Sequence, residues 1–298
     1  MTPAQVITHG GAGAPGQYKD GPQAAAEAGL ARLAAGEPAL AAAVAAAVLL
    51  EDDPRFNAGT GSHFRLDGRT IEMDAAVMTD DGRLGAVIGL RRTKNPILVA
   101  EAVTRTPHLM LAGRGALLFA RRLGHADYSP ATPEARARYR RWKRHYATGQ
   151  FPGPESAWRG FDIQAHWNFP DEWRLGDTIG AVARDAAGHF AVANSTGGTV
   201  TMLLGRVGDS PIYGAGLFAG PHGAVAATGE GEEIVRRFLC LRVYERMAAG
   251  LSSQAACAEA LAAFPPHVYV GLIALDRAGA GWATSHDMPV GLAGGGAA

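Results

Sequence analysis

The hydrophobic pattern switches repeatedly between two textures, short β-branched runs and longer stretches rich in alanine and leucine. Residues 5–9 read as a first strand, and the run Gly10-Gly11-Ala12-Gly13-Ala14-Pro15-Gly16 after it as a tight turn. Residues 22–35 and 38–51 have helical length and composition and are separated by Gly36-Glu37. Residues 50–61 are too polar and turn-rich for an element and read, as a bare pattern, as a solvated helix end. A strand pair follows at 71–78 and 84–90, turned at Asp80-Asp81-Gly82. Asn95-Pro96 opens a helix to about residue 105, and 115–123 predicts another. From 124 to 176 prolines punctuate the chain and Trp142, Trp158, Trp167 and Trp173 recur without period, which predicts an irregular linker. Beyond it lie a predicted hairpin (178–184 and 189–194), a strand (223–228), one amphipathic helix (232–249) and a closing hairpin (268–275 and 281–285). Strand pairs with helices in both halves suggest layered α/β packing rather than alternating βαβ units.

Composition narrows the functional classes. Lys+Arg and Asp+Glu number 28 each, so no global field draws the chain toward nucleic acid or a membrane. The basic run Arg136, Arg138, Arg140, Arg141, Lys143, Arg144 and His145, interleaved with Tyr139 and Trp142, could grip phosphates and stack on bases. At zero formal net charge a helical, solvated connector is the preferred reading of that run. The most apolar window, 39–50, is far shorter than the ~20 residues a membrane span needs. Two cysteines, Cys240 and Cys257, make a disulfide framework implausible and read as small buried hydrophobes. No basic and apolar leader follows Met1, and a cytoplasmic location is expected. A chain of 298 residues can form one large domain or two modest ones.

Candidate chemistry is sparse by the usual signatures: there is no Gly-x-Ser-x-Gly elbow, His-Glu-x-x-His, Walker loop or Cys-x-x-Cys. Gly11, Gly13 and Gly16 match the dinucleotide fingerprint, which would make the chain a nucleotide-binding oxidoreductase. Pro15 and then Lys19-Asp20-Gly21-Pro22 interrupt it before a helix can face a pyrophosphate. The acids Glu51, Asp52 and Asp53 lack the alternate spacing of a calcium loop. What remains is a threonine, Thr178, opening an apolar run directly after the irregular segment. A hydroxyl needs an adjacent base, and a free α-amino group on the same residue, with an ordinary pKa of about 7.7–8.0, can be one. For Thr178 that requires cleavage of the Asp177–Thr178 bond.

The chain resembles the plant-type L-asparaginase / isoaspartyl peptidase family of N-terminal-nucleophile hydrolases. The motifs that carry the resemblance are His9-Gly10-Gly11-Ala12-Gly13, Phe56-Asn57-Ala58-Gly59, Met73-Asp74-Ala75, Asn95-Pro96 and Gly176-Asp177-Thr178-Ile179-Gly180. They continue with Ser195-Thr196-Gly197-Gly198, Gly205-Arg206-Val207-Gly208-Asp209-Ser210-Pro211 and Thr228-Gly229-x-Gly231-Glu232, ending near Gly271-Leu272-Ile273-Ala274. Each is weak alone, but the ordered set is specific and spans the chain outside 124–174. The resemblance implies a single-domain, four-layer αββα sandwich over 1–298. Self-cleavage would divide it into fragments 1–177 and 178–298, which stay associated and form a dimer of such pairs. It implies Thr178 as nucleophile, Thr196 as its hydrogen-bonding activator, Thr228 and Gly229 as the oxyanion hole, and Asn57 near the scissile region. Arg206 would hold a substrate α-carboxylate and Asp209 its α-ammonium, with Gly231 beside them. No cofactor is implied for catalysis. The carbonyls of Leu50, Glu51, Asp53, Phe56, Ala58 and Thr60 match a loop that binds sodium in the family.

The implied reaction is hydrolysis of a β-aspartyl amide, in free L-asparagine or in β-aspartyl dipeptides. Glycosylasparaginase or threonine endopeptidase activity, or an uncleaved relative that only binds, are the alternatives within the family. Taken singly, Thr196-Gly197-Gly198 could be only a turn, Arg206 with Asp209 only a surface ion pair, and Thr228 only a strand end. Two departures stand out: Glu230, where many relatives carry Thr or His, and the Trp-rich linker.

Overall fold

A computed structural model describes residues 3–65, 67–147, 178–198 and 202–295, with Thr178 described through its backbone. The predicted linker beyond residue 147 and the residue before the expected cut, Asp177, lie outside the described residues.

Two antiparallel-dominated sheets carry the fold. The larger runs in the order β11 (Val290–Gly294), β1 (Gln5–His9), β5 (Thr178–Arg184), β6 (Phe190–Thr196), β2 (Met73–Thr79), β3 (Leu84–Leu90), β4 (Met110–Ala112). The smaller runs β10 (Ala280–Thr284), β9 (Val270–Leu275), β8 (Gly223–Gly229), β7 (Leu217–Gly220). In β1, β5, β6 and β2 alternate residues divide between two cores, as a period-two strand dictates. Ile7, Val182, Val192 and Ala76 join the core shared with β8 and β9, and Val6, Ala181, Ala193 and Val77 join the core under the helices. The helices α1 (Asp20–Ala34), α2 (Ala39–Asp52) and α3 (Pro96–Val103) pack on the larger sheet. On the smaller sheet lie α7 (Leu239–Ala248) and α8 (Ser253–Ala262). Among the described residues no helix is long and apolar enough to cross a membrane.

Local chemistry explains most boundaries. Pro38 and Pro96 start α2 and α3, where the missing N–H is harmless. Ser252 caps α8, its Oγ accepting the Ala255 N–H at 3.2 Å. The β5–β6 turn is held by Asp185 Oδ1, which accepts the N–H groups of Ala187 and His189. Cys240 and Cys257 are buried as expected, and burial pushes the Cys257 thiol up to about 12. The fingerprint glycines belong to no βαβ unit: β1 pairs antiparallel with both β11 and β5, and a 3-10 turn at Gly16–Tyr18 precedes α1.

Three readings of the sequence need correction, and three short strands went unread. The stretch 50–61 is not a solvated helix end: Leu50, Glu51, Phe56, Asn57, Ala58 and Gly61 are all buried, because the loop folds under β6. The single helix over 232–249 is broken into α6 (Gly231–Arg237) and α7 by Phe238, which sits in the left-handed region at φ 46°. The basic run is helical as expected, forming α5 (Pro133–Ala147), but it is docked: Ala135 and Tyr139 are buried and Arg138 donates to the Gly61 carbonyl at 2.9 Å. The short strands β4, β7 and β11 carry too little pattern to be foreseen.

Glu51 is the most consequential of these corrections. Its Oε1 accepts the Ser195 hydroxyl at 2.6 Å and the Ile97 N–H at 3.1 Å, tying α2 to β6 and to the start of α3. Burial outweighs those hydrogen bonds and raises the carboxyl to about 8, so it is held protonated at neutral pH. Between its ordinary value and about 8 the folded chain keeps a proton that the unfolded chain releases, so stability falls as pH rises across that window and levels above it. Glu51→Gln is expected to flatten the decline, read as melting temperature against pH from 5 to 9. An unchanged slope would mean that the carboxyl is ionised in the fold.

Candidate functional site

The predicted site residues converge where the two sheets meet at one end. Register places Thr178, first residue of β5, directly across from Thr196, last of β6, and Asp74 at the start of β2 pairs with Thr196 on its other side. Alternation puts these three positions and Asn194 on the face turned to the smaller sheet. From that sheet come Thr228 and Gly229 at the end of β8. Asn194, assigned no role at the site by sequence reading, joins the two: its Nδ2 donates to the carbonyls of Ala227, at 3.1 Å, and Gly216, at 2.9 Å.

Backbone geometry at this end demands glycine. Gly229 has φ 131°, and a Cβ on it would run into the Tyr269 carbonyl. At Gly197 a Cβ would lie 2.5 Å from Asn57 Oδ1. Asn57 is a scaffold for this turn, donating from Nδ2 to the Gly198 carbonyl at 3.1 Å and accepting the His63 N–H on Oδ1 at 3.1 Å. Thr196 Oγ1 accepts the Gly198 N–H at 2.9 Å, so the turn also fixes the threonine rotamer. Thr228 is fully buried and its Oγ1 accepts the Ala12 N–H at 3.3 Å, which leaves its hydroxyl proton to be donated elsewhere. His9 is buried and its Nδ1 accepts the Gly11 N–H at 3.1 Å, placing the ring proton on Nε2. Burial lowers its pKa to about 3, so it is neutral and holds the Gly10–Gly13 turn without adding charge.

The charged half of the site lies on 205–209 and the first turn of α6. Arg206 and Asp209 approach each other across Gly231, where a Cβ would stand 2.9 Å from Arg206 Nη2 and 2.8 Å from Asp209 Oδ1. Asp209 is buried, its Oδ2 has no hydrogen-bond partner, and burial raises its carboxyl to about 7 against the pull of Arg206. An unpartnered buried carboxylate beside a guanidinium is costly unless a ligand completes it. Arg206 is held in turn by Glu232, through Nε at 2.9 Å and Nη2 at 2.7 Å. Burial works against the charge on Glu232, but these bonds hold its carboxyl below the ordinary value. Glu230 caps the strand end instead: its N–H donates to the Tyr269 carbonyl at 2.7 Å and its Oε1 accepts the Tyr269 N–H at 3.0 Å.

Behind Arg206 is a buried ionic network that sequence reading missed. Arg65 is fully buried and pairs through Nε with Glu72 at 2.9 Å, while its Nη2 donates to the Arg206 carbonyl at 3.0 Å. Glu72 also accepts the Gly205 N–H at 2.9 Å and pairs with Arg91. The segment that carries the site arginine is therefore anchored at two consecutive residues. No motif marks Arg65. The one available signal was three charged residues, Arg65, Glu72 and Asp74, flanked by Phe64, Ile71 and Met73 in a stretch with too many apolar neighbours for a solvated loop.

Among the described residues no cluster of His, Cys, Asp or Glu could hold a metal ion. The loop proposed for sodium would bind through carbonyls, and its glycines fit close carbonyl packing: Gly59 and Gly61, at φ 51° and 92°, approach the carbonyl oxygens of Glu51, Pro54 and Phe56. Two carbonyls of the expected sodium set already accept backbone N–H groups, Glu51 from Thr60 and Asp53 from Phe56, which leaves each one further lone pair.

Comparison with known proteins gives one consistent picture. The family model described as asparaginase matches residues 2–293. A plant-type L-asparaginase from Pyrococcus abyssi is 38% identical over 287 residues, covering 92% of this chain and 90% of its own length. The isoaspartyl peptidase of Escherichia coli is 36% identical over 296 residues, covering 94% and 88%. An N(4)-(β-N-acetylglucosaminyl)-L-asparaginase from Elizabethkingia miricola is 37% identical over 260 residues, covering 83% and 71%.

Arg65→Leu removes one partner of a buried ion pair and should destabilise the fold by about 3 kcal/mol, measured by denaturant unfolding. A change under about 1 kcal/mol would show that Glu72 is satisfied by Arg91 and Gly205 alone.

Proposed function

The chain belongs to the asparaginase family, and on that premise we propose that it is an autoprocessed threonine amidohydrolase of β-aspartyl amides, acting on L-asparagine and β-aspartyl dipeptides. The observation that carries this reading is the placement of Arg206 and of the Asp209 carboxyl, whose Oδ2 has no hydrogen-bond partner among the described residues, side by side at Gly231. Together they complement an α-carboxylate and an α-ammonium held one carbon apart. Both substrates present that zwitterionic head, and differ only in what leaves the β-carbonyl.

In this reading cleavage before Thr178 gives pieces of 177 and 298 − 177 = 121 residues. The freed α-amino group takes the proton from the Thr178 hydroxyl as it attacks the β-carbonyl. The register with Thr196 supports a role for that residue in orienting the nucleophile. The Thr228 hydroxyl and the Gly229 backbone supply the oxyanion donors, a stabilisation of about 3 kcal/mol per donor. Ammonia or an amino acid departs, and water resolves the β-aspartyl ester. No cofactor enters these steps. The two facing sheets, with helices on the outer side of each, support the four-layer αββα arrangement of the N-terminal-nucleophile hydrolases. The loop 50–60 is proposed to hold a structural sodium ion through its carbonyls, and two cleaved pairs to form the working dimer.

Two measurements test the reading. Intact mass after incubation at neutral pH should show two species split before Thr178, and Thr178→Ala should remain one chain and lose turnover of L-asparagine. Normal turnover by Thr178→Ala would end the mechanism. Binding of the product L-aspartate should report Asp209 directly. Its carboxyl, raised to about 7, must ionise to meet an ammonium, so binding at pH 6 should release close to a full proton, seen as buffer-dependent heat. The release should fade above pH 8. Heat independent of the buffer at pH 6 would remove Asp209 from the ammonium site.

A further inference from the structure

Arg206 carries more of its bonding on the protein than on the open side of the site. A guanidinium offers two edges for two-point recognition of a carboxylate, Nε with one terminal nitrogen and the two terminal nitrogens together. Glu232 fills the first, with bonds of 2.9 Å from Nε and 2.7 Å from Nη2. The second edge is bounded by residues with little bulk or polarity: Nη1 would lie 2.8 Å from a Cβ on Gly208 and is 3.9 Å from the Met202 sulfur. The Arg206 side chain is 15% exposed, whereas Glu232 is 56% exposed and stands between Gly231 and Glu233 in the first turn of α6.

We infer that Glu232 is a positioning residue for substrate binding: it clamps Arg206 by the Nε edge so that the two terminal nitrogens face the α-carboxylate beside Asp209. The inference rests on the proposed function and deepens it. Two opposing effects fix the sign of the test. A free arginine side chain spreads over many rotamers, and holding it in one lowers the cost of ordering it when substrate arrives. A carboxylate parked on the same guanidinium also repels the incoming carboxylate. The geometry favours the first effect, because Glu232 takes the Nε–Nη2 edge from the solvent side, leaves Nη1 unbonded to any carboxylate among the described residues, and shares only Nη2 with the second edge. Chemistry at the β-carbonyl, several bonds away from the α-carboxylate, is then untouched.

The test is steady-state kinetics on L-asparagine with the full-length mature enzyme, Glu232→Ala and Glu232→Gln, beside L-aspartate binding by calorimetry and the intact mass of each. Glu232→Ala is expected to raise KM about tenfold, weaken L-aspartate by a similar factor, leave kcat within twofold and leave self-cleavage unchanged. Glu232→Gln keeps one acceptor oxygen and should recover part of the loss, with KM about threefold above wild type. A lower KM in Glu232→Ala would overturn the inference and make Glu232 a resident competitor. An unchanged KM, or a fall in kcat that matches the rise in KM, would overturn it as well. A wild-type enzyme that neither turns over L-asparagine nor binds L-aspartate would overturn both this inference and the reading beneath it. Turnover with normal KM in Glu232→Ala overturns the inference alone.

Discussion

The amide of Asn194 is the contact on which the rest of this architecture depends. It sits in an otherwise apolar layer between Val192 and Thr196, and its two donor hydrogens satisfy carbonyls of Ala227 and Gly216 that belong to the opposite sheet side. Apolar packing between sheets is tolerant of sliding, because hydrophobic attraction has no direction. A buried amide is not tolerant: each lost hydrogen bond leaves a desolvated donor or carbonyl at about 1–3 kcal/mol. Sliding one sheet past the other by a residue would break both bonds at once. That fixes the offset of β6 against β8, and with it the distance between Thr196 and Thr228, which lie two and one positions away from the bonded residues.

The charged half of the site is fixed by a different device. Loops carry chemistry well only if a rigid base holds them. Here the base is Arg65 with Glu72, buried ionic groups that each also bond the backbone of the site segment, Arg65 at Arg206 and Glu72 at Gly205. Such pairs contribute little net stability, since desolvation offsets attraction. Their value is geometric, because a charge buried in this way has one acceptable arrangement. Asp209 is the reverse case, a buried carboxyl whose Oδ2 has no partner among the described residues and which burial raises to about 7; under the proposed function a substrate ammonium would complete it.

Much of this was legible in the sequence. Strands β1, β2, β3, β5, β6, β8, β9 and β10 announce themselves by runs of alternating or continuous apolar residues between turn residues, α1 and α2 by alanine-rich length, and α3 by the Asn95-Pro96 start. Short edge strands such as β4 and β11 were illegible, since three to five residues beside glycines carry no periodic signal and form only because a neighbour offers an unpaired edge. The break at Phe238 was invisible for a related reason: an aromatic residue is a poor candidate for the left-handed region, which it adopts here as the cap that ends α6. At the site, the threonines and the Arg206–Asp209 pair could be named from their motifs, whereas Asn194, Arg65, Glu72 and the clamp of Glu232 on Arg206 could not. Asn194 and Glu232 act through partners 22 to 33 positions away and the Arg65–Glu72 pair through Gly205 and Arg206 more than 130 positions away, and their local sequence shows at most charges set among apolar residues, as at Arg65 and Glu72.

The strand order of the larger sheet has a consequence for the life of the molecule. Read across the sheet, β11 belongs to the segment after Thr178, β1 to the segment before it, β5 and β6 again to the later segment, and β2, β3 and β4 to the earlier. A cut before Thr178 would therefore produce two polypeptides woven through each other like interlocked fingers, with β1 hydrogen-bonded on both sides to strands of the other piece. Neither piece could be withdrawn, diluted away or traded with a neighbouring molecule without tearing the sheet apart. Two such chains would melt together, age together and be degraded together, a covalent break with no physical separation.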